Sequence, residues 1–168
     1  MQPQRQSASE PGWENASLLH IFISHGHDYW GRQGEGRMQH GITSVPEVEC
    51  VAGQGLRGDR YFGYRADFKG QVTFFAAEAV SEIREAFKLP KLPASIFRRN
   101  LIVQGVDLRQ WLGQRFTFQG IHFEGTQECK PCDWMNRVVA PGTEEFMKRH
   151  FRGGLRAKVL TSGTLRAG

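Results

Sequence analysis

The chain has 168 residues, a formal net charge of +5, and 39% hydrophobic against 23% charged residues. That is one domain's length, able to bury roughly 70% of the unfolded chain's surface, and a globular rather than a disordered or fibrous mix. No apolar run approaches the roughly 18 residues of a membrane span, and residues 1–15 lack a signal peptide's apolar block, so the expected location is cytoplasmic.

Residues 1–17 are polar and read as a flexible leader, with a single domain expected over 18–168. Residues 18–24 predict a first strand, and 25–41 a long polar loop with glycines. Residues 45–51 alternate: Val45, Glu47, Glu49 and Val51 share one face, Val48 and Cys50 the other. After a glycine-rich turn region at 53–60, residues 71–75 predict a buried strand running directly into a helix. In that helix Ala76, Ala79, Val80, Ile83 and Phe87 recur at helical spacing, and Glu78, Glu82, Arg84 and Glu85 face water. Pro90 and Pro93 cannot continue it. Residues 96–103 predict another strand or two. Residues 115–118 and 121–124 alternate around Gln119-Gly120, a two-residue hairpin turn. A second helix is expected over 143–150 with Thr143 as its N-cap, then a closing strand over 156–161. Many short strands with two or three helices give a strand-rich α+β class, a barrel or sandwich. The alternation that a thioredoxin or Rossmann fold needs is not read in the pattern.

Three cysteines, Cys50, Cys129 and Cys132, are too few and too odd for a secreted disulfide scaffold. The pair Cys129-Lys-Pro-Cys132 follows a predicted strand, with Lys130 between the sulfurs and Arg137 five residues on. A thiolate is the nucleophile and the metal ligand, and nearby cations favour it. Dithiol redox, metal ligation and sulfur transfer through a persulfide are all open to such a pair, as is simple packing of two small side chains. A structural zinc site lacks its second half: there is no other C-x-x-C and no H-x₃₋₅-H pair, and His25-Gly-His27 would serve only by long-range convergence. Arg98-Arg99-Asn100 lies at the mouth of a predicted strand, where Arg98 and Asn100 share a face and Arg99 takes the other. Arg98 has the chemistry to grip a phosphate while Asn100 donates a hydrogen bond, and a solvated edge strand explains the charges equally well. Asp59-Arg60 reads as a turn lock or an anion contact, and Arg152 and Arg156 share that ambiguity. The positive charge also suits nucleic acid, but few aromatic residues interleave with the basic ones, so that reading ranks last.

In order and spacing these segments resemble one family: Gly55-Leu-Arg-Gly-Asp-Arg-Tyr-Phe62, Gln71-Val-Thr-Phe-Phe-Ala-Ala-Glu78, Arg98-Arg-Asn-Leu-Ile-Val-Gln-Gly-Val-Asp-Leu108, Cys129-Lys-Pro-Cys132 and Gly153-Gly-Leu-Arg-Ala-Lys-Val-Leu-Thr-Ser-Gly163. The chain is similar to a stand-alone MOSC domain, the module named after the C-terminal domain of molybdenum cofactor sulfurase, over about residues 18–168. The resemblance implies a β-barrel with peripheral helices and an association with molybdenum cofactor or sulfur delivery. It implies that Cys132 carries a persulfide or ligates molybdenum, with Lys130 on its approach. It implies further that Arg98 and Asn100 hold the pterin phosphate and that Arg60 reaches the cofactor. Larger relatives carry a pyridoxal-phosphate cysteine desulfurase domain or an extra barrel, neither of which fits in 168 residues. Sulfur would therefore come from a separate desulfurase for an acceptor metalloenzyme, or electrons for a reductase activity on N-hydroxylated compounds from another protein. Family members often end in a Gly-Asp turn and a further short strand, where this sequence ends at Gly168, a truncated or simply short closing strand.

Overall fold

A computed structural model describes residues 15–26 and 41–168. The expected leader up to residue 14 and most of the expected loop at 25–41, with His27, lie outside the described residues.

Strand β1 (Ser17–Ile23) is followed by β2 (Thr43–Val45) and β3 (Glu47–Val51). The single strand expected over 45–51 is thus divided, and Pro46, which has no N–H for a ladder, stands at the division. Along β3 the alternation holds, with Val48 and Cys50 buried and Glu47 and Glu49 exposed. Next come β4 (Gly55–Leu56), β5 (Val72–Ala76) and α1 (Ala77–Ala86), then β6 (Leu101–Gln104), β7 (Arg115–Phe118) and β8 (Ile121–Glu128). The chain ends with α2 (Trp134–Val138), α3 (Thr143–Lys148), β9 (Leu155–Val159) and β10 (Gly163–Arg166). The Gln119-Gly120 hairpin forms as its pattern predicts, with Phe118 opposite Ile121 and both turn residues at positive φ. This is the type I′ geometry that matches strand twist.

Two sheets result. A seven-stranded sheet runs β2-β1-β6-β5-β9-β8-β7, and a three-stranded sheet runs β10-β3-β4. Every pairing is antiparallel except β5 with β6. Those two parallel strands are joined through α1, so one β-α-β unit is present where the sequence pattern suggested none. A parallel pair requires a crossover, and the long stretch 87–100 after α1 hid it. Backbone bonds link the sheets, from Gly53 N–H to the Val159 carbonyl (2.8 Å) and from Gly168 N–H to that of Leu18 (3.0 Å).

Alternation on β5 and β6 divides the interior into two. Val72, Phe74, Leu101 and Val103 enter the core between the sheets, whereas Phe75 and Ile102 enter a second cluster with α1, Phe97, Trp134 and Met147. Phe74 is the hub of the first, meeting Trp111, Phe116, Phe118 and Phe123 edge-on at ring-centroid separations of 5.3–5.9 Å. Gly125 lies so close to the Trp111 carbonyl oxygen that no Cβ fits there, and this lets the turn at 108–114 press onto β8.

Two sequence expectations are corrected. Residues 94–97 form a 3-10 turn, and strand β6 starts only at Leu101, because Arg98 takes a left-handed conformation (φ 55°) that ends the turn. Thr143 does not cap α3 from outside; it is the first helical residue, and its hydroxyl donates to the Ala140 carbonyl (2.7 Å). The expected strand-rich α+β class is present, with three α-helices and a mixed seven-stranded sheet among the described residues. Among the described residues no helix is long and apolar enough to cross a membrane.

Truncating the aromatic hub should be severe: Phe74→Ala is expected to cost about 3–5 kcal/mol. In urea unfolding this appears as a lower midpoint with an unchanged slope.

Candidate functional site

A cleft of about 250 Å³ opens where the end of β8, the start of β9, the turn before β6 and the loop after β4 meet. Among the described residues its charged lining is Arg60, Arg98, Arg99, Lys130 and Arg156, with no carboxylate. Cys129 and Cys132 both border it, with Tyr61, Phe68, Trp134 and Met135 among the rings and apolar groups.

The segment 98–100 shapes this cleft by sending each side chain a different way. Arg98 is 9% exposed, and its Nη2 donates to Ser24 Oγ (2.9 Å) and to the Gly26 carbonyl. Arg99 donates from Nε to the Gly153 carbonyl (3.0 Å), from Nη1 to that of Phe97 (3.2 Å) and from Nη2 to that of Cys129 (3.4 Å). Asn100, 2% exposed, does not border the cleft. Its Oδ1 accepts from Thr73 N–H and Thr73 Oγ1 (both 3.1 Å), and its Nδ2 donates to the Phe22 carbonyl (3.1 Å). It clips β1, β5 and β6 together beneath the cleft floor. The shared face expected for Arg98 and Asn100 is therefore absent, since neither lies in a strand.

The cysteine loop is held from below. Cys129 N–H donates to the Gly154 carbonyl (2.8 Å), and Gly153 approaches the Cys129 carbonyl and Pro131 too closely for any Cβ. Pro131 is buried, whereas Lys130 and Cys132 are exposed. Just past Cys132, Met135 N–H donates to the Cys132 carbonyl (3.0 Å) as α2 begins. The three cysteines occupy three environments: Cys132 is exposed, Cys129 is buried at 4% yet borders the cleft, and Cys50 is sealed in the core. Burial, with Glu49 nearby as the smaller cause, pushes the Cys50 thiol up to about 12.

Asp59 locks its turn. One carboxylate oxygen accepts from Ser24 N–H (3.0 Å), the other from Tyr61 N–H (3.3 Å), and Arg60 Nη1 lies 3.5 Å away. Arg60 is thereby locked while it borders the cleft, its guanidinium 4.8 Å from the Tyr61 ring centre. Arg152 and Arg156 lie in different places. Arg152 pairs with Glu82 away from the cleft, and Arg156 projects into it from β9, opposite the inward face of Leu155, Ala157 and Val159. Among the described residues Arg99, Lys130 and Arg156 have no ion-pair partner, whereas Arg57, Arg109, Arg137, Lys148, Lys158 and Arg166 each have one. Among those residues, too, no three His, Cys, Asp or Glu side chains converge as a metal-binding group. His122 is an exposed residue of β8, its Nδ1 3.0 Å from Thr117 Oγ1.

Sequence reasoning missed the clamp role of Arg99 and the aromatic wall of Tyr61 and Phe68. The register of β9 would have placed Arg156, because it alternates with three apolar residues.

The MOSC domain family model matches residues 36–168. The fold is similar to that of the YUAD protein from Bacillus subtilis (TM-score 0.69, 18% identity, 91% of this chain and 92% of that one). It is also similar to YiiM from Geobacillus stearothermophilus (0.66, 17%, 91% and 72%) and YiiM from Escherichia coli (0.59, 18%, 88% and 65%). A search of curated proteins returns no match.

Thiol labelling of the native protein should find one fast cysteine, Cys132, with Cys50 and Cys129 reacting only slowly. Mass-resolved alkylation is expected to lose the fast class in Cys132→Ser. In Arg99→Ala, which removes the anchor on the Cys129 carbonyl, Cys129 should join it.

Proposed function

Because the chain belongs to the MOSC domain family, we propose that it is a molybdenum-cofactor-associated sulfur carrier with Cys132 as the carrying thiol. The observation that supports this best is an exposed sulfur on a cleft whose charged lining, among the described residues, is cationic. A protein donor needs an accessible acceptor, and the persulfide formed is an anion that such a lining favours. In the loading step the Cys132 thiolate attacks the terminal sulfur of a desulfurase's cysteine persulfide. The donor's S–S bond breaks, the donor thiolate leaves, and Cys132 keeps the sulfane sulfur with no net oxidation. The work takes place in the cytosol, between a cysteine desulfurase and an acceptor metalloenzyme.

The donor chemistry also fits the cofactor itself. A soft thiolate suits molybdenum, and guanidinium groups suit an anionic pterin phosphate. Cys132 would face the metal, and Arg60, Arg98 and Arg156 with Lys130 would hold the anionic end; Asn100 would act by holding the cleft floor. The two sheets around their common core correspond, on this reading, to the family's barrel. A second reading draws on the same lining: an oxidoreductase acting on N-hydroxylated compounds, with Cys132 as metal ligand and a separate reductase as partner. The bound cofactor would supply the two-electron chemistry, and the chain's own residues would orient it and neutralise its charge.

Incubation with a cysteine desulfurase and cysteine, followed by intact mass spectrometry, should show one added sulfur that is absent in Cys132→Ser. Equal loading of that variant would refute the assignment. After expression in a cofactor-producing host, Arg156→Ala should retain about tenfold less pterin and molybdenum than the unaltered protein, the scale of one charge-assisted hydrogen bond. Unchanged retention would remove Arg156 from the cofactor site.

A further inference from the structure

Cys129 is a nucleophilic side chain that the loading step leaves unused. It borders the same cleft as Cys132 and is only 4% exposed, so a bulky protein donor has poor access to it while a group already inside the cleft does not. Its backbone is fixed on both sides, by Gly154 and by Arg99, whereas Cys132 lies three residues on at the exposed lip. A C-x-x-C spacing lets such a pair close into a disulfide when the loop curls.

We propose that Cys129 is the resolving thiol, which discharges the sulfur carried on Cys132. The inference rests on the persulfide reading of Cys132. The Cys129 sulfur attacks Cys132 Sγ, the inner atom of the persulfide, and the bond from Sγ to the sulfane sulfur breaks. A Cys129–Cys132 disulfide forms, and the sulfane sulfur leaves as hydrosulfide, taking up the Cys129 proton as hydrogen sulfide. The two cysteine sulfurs are oxidised and the sulfane sulfur is reduced, so the step needs no outside electron acceptor. A small dithiol or a thioredoxin-class reductant restores the thiols for the next cycle. The cationic lining favours this direction, because the leaving group is an anion released beside Arg99, Lys130 and Arg156.

The test compares the full-length protein with Cys129→Ser and Cys129→Ala, each checked for native packing by near-ultraviolet circular dichroism. Each is loaded with a desulfurase and cysteine, desalted, and followed by sulfide assay and non-reducing mass spectrometry. The unaltered protein should release sulfide in step with a Cys129–Cys132 disulfide. Both variants should hold the added sulfur, releasing it about tenfold or more slowly until dithiothreitol is added. Release from the variants at the unaltered rate, or sulfide without the disulfide in the unaltered protein, would overturn the proposal. That disulfide readout stands even if a variant fails to fold. Failure of Cys132 to load in any form is a different result, visible before desalting, and would overturn the carrier reading together with this one.

Discussion

Three consecutive residues, Arg98, Arg99 and Asn100, bind three parts of the protein to one another, and the cleft exists because they do. The left-handed backbone at Arg98 (φ 55°) turns the chain sharply between a 3-10 turn and β6, so successive side chains splay apart. One reaches Ser24 and Gly26 after β1, one reaches the cysteine loop, and one fastens β5 to β1. In a regular strand two of the three would share a face and at least one of these links would be lost. A positive φ in a non-glycine residue is unfavourable on its own, and it is held here by several buried hydrogen bonds.

The same arrangement accounts for the charge of the cleft. Elsewhere on the surface Arg57, Arg109, Arg137 and Arg166 each sit beside a carboxylate, in pairs worth little each. At the cleft Arg99 spends its donors on backbone carbonyls instead, those of Cys129, Gly153 and Phe97. A carbonyl accepts a hydrogen bond without cancelling the positive charge. The guanidinium is thereby oriented, and its field remains for an anion entering the cleft.

Much of the fold was legible because it follows periodicity. The hairpin at Gln119-Gly120, the buried strand running into α1 and the alternation of β3 all obey simple spacing rules. The site was legible by residue type more than by geometry. Cys132, Lys130, Arg60 and Arg98 do border one cleft, but Asn100 turns away from it, since a strand face was assumed where the chain makes a turn. The β-α-β crossover escaped because parallel pairing depends on contacts distant in sequence, which no local pattern encodes. The clamp by Arg99 escaped for the same reason, its partners lying 30 and 54 positions away.

Two close backbone approaches set the two cysteines of the loop apart in exposure. Gly153 admits the Cys129 carbonyl and the Pro131 ring at distances no side chain would allow, so the first half of the loop is drawn down onto β9. Pro131 is buried in consequence, and the chain must rise again to enter α2, which leaves Cys132 at the lip. Exposure of one sulfur and shelter of the other thus have a single cause in a residue lacking a side chain. A larger residue at 153 would lift Cys129 along with Pro131 and make the two sulfurs alike, and under the proposed carrier cycle a pair of equally exposed thiols would have no fixed order in which to receive and discharge an atom.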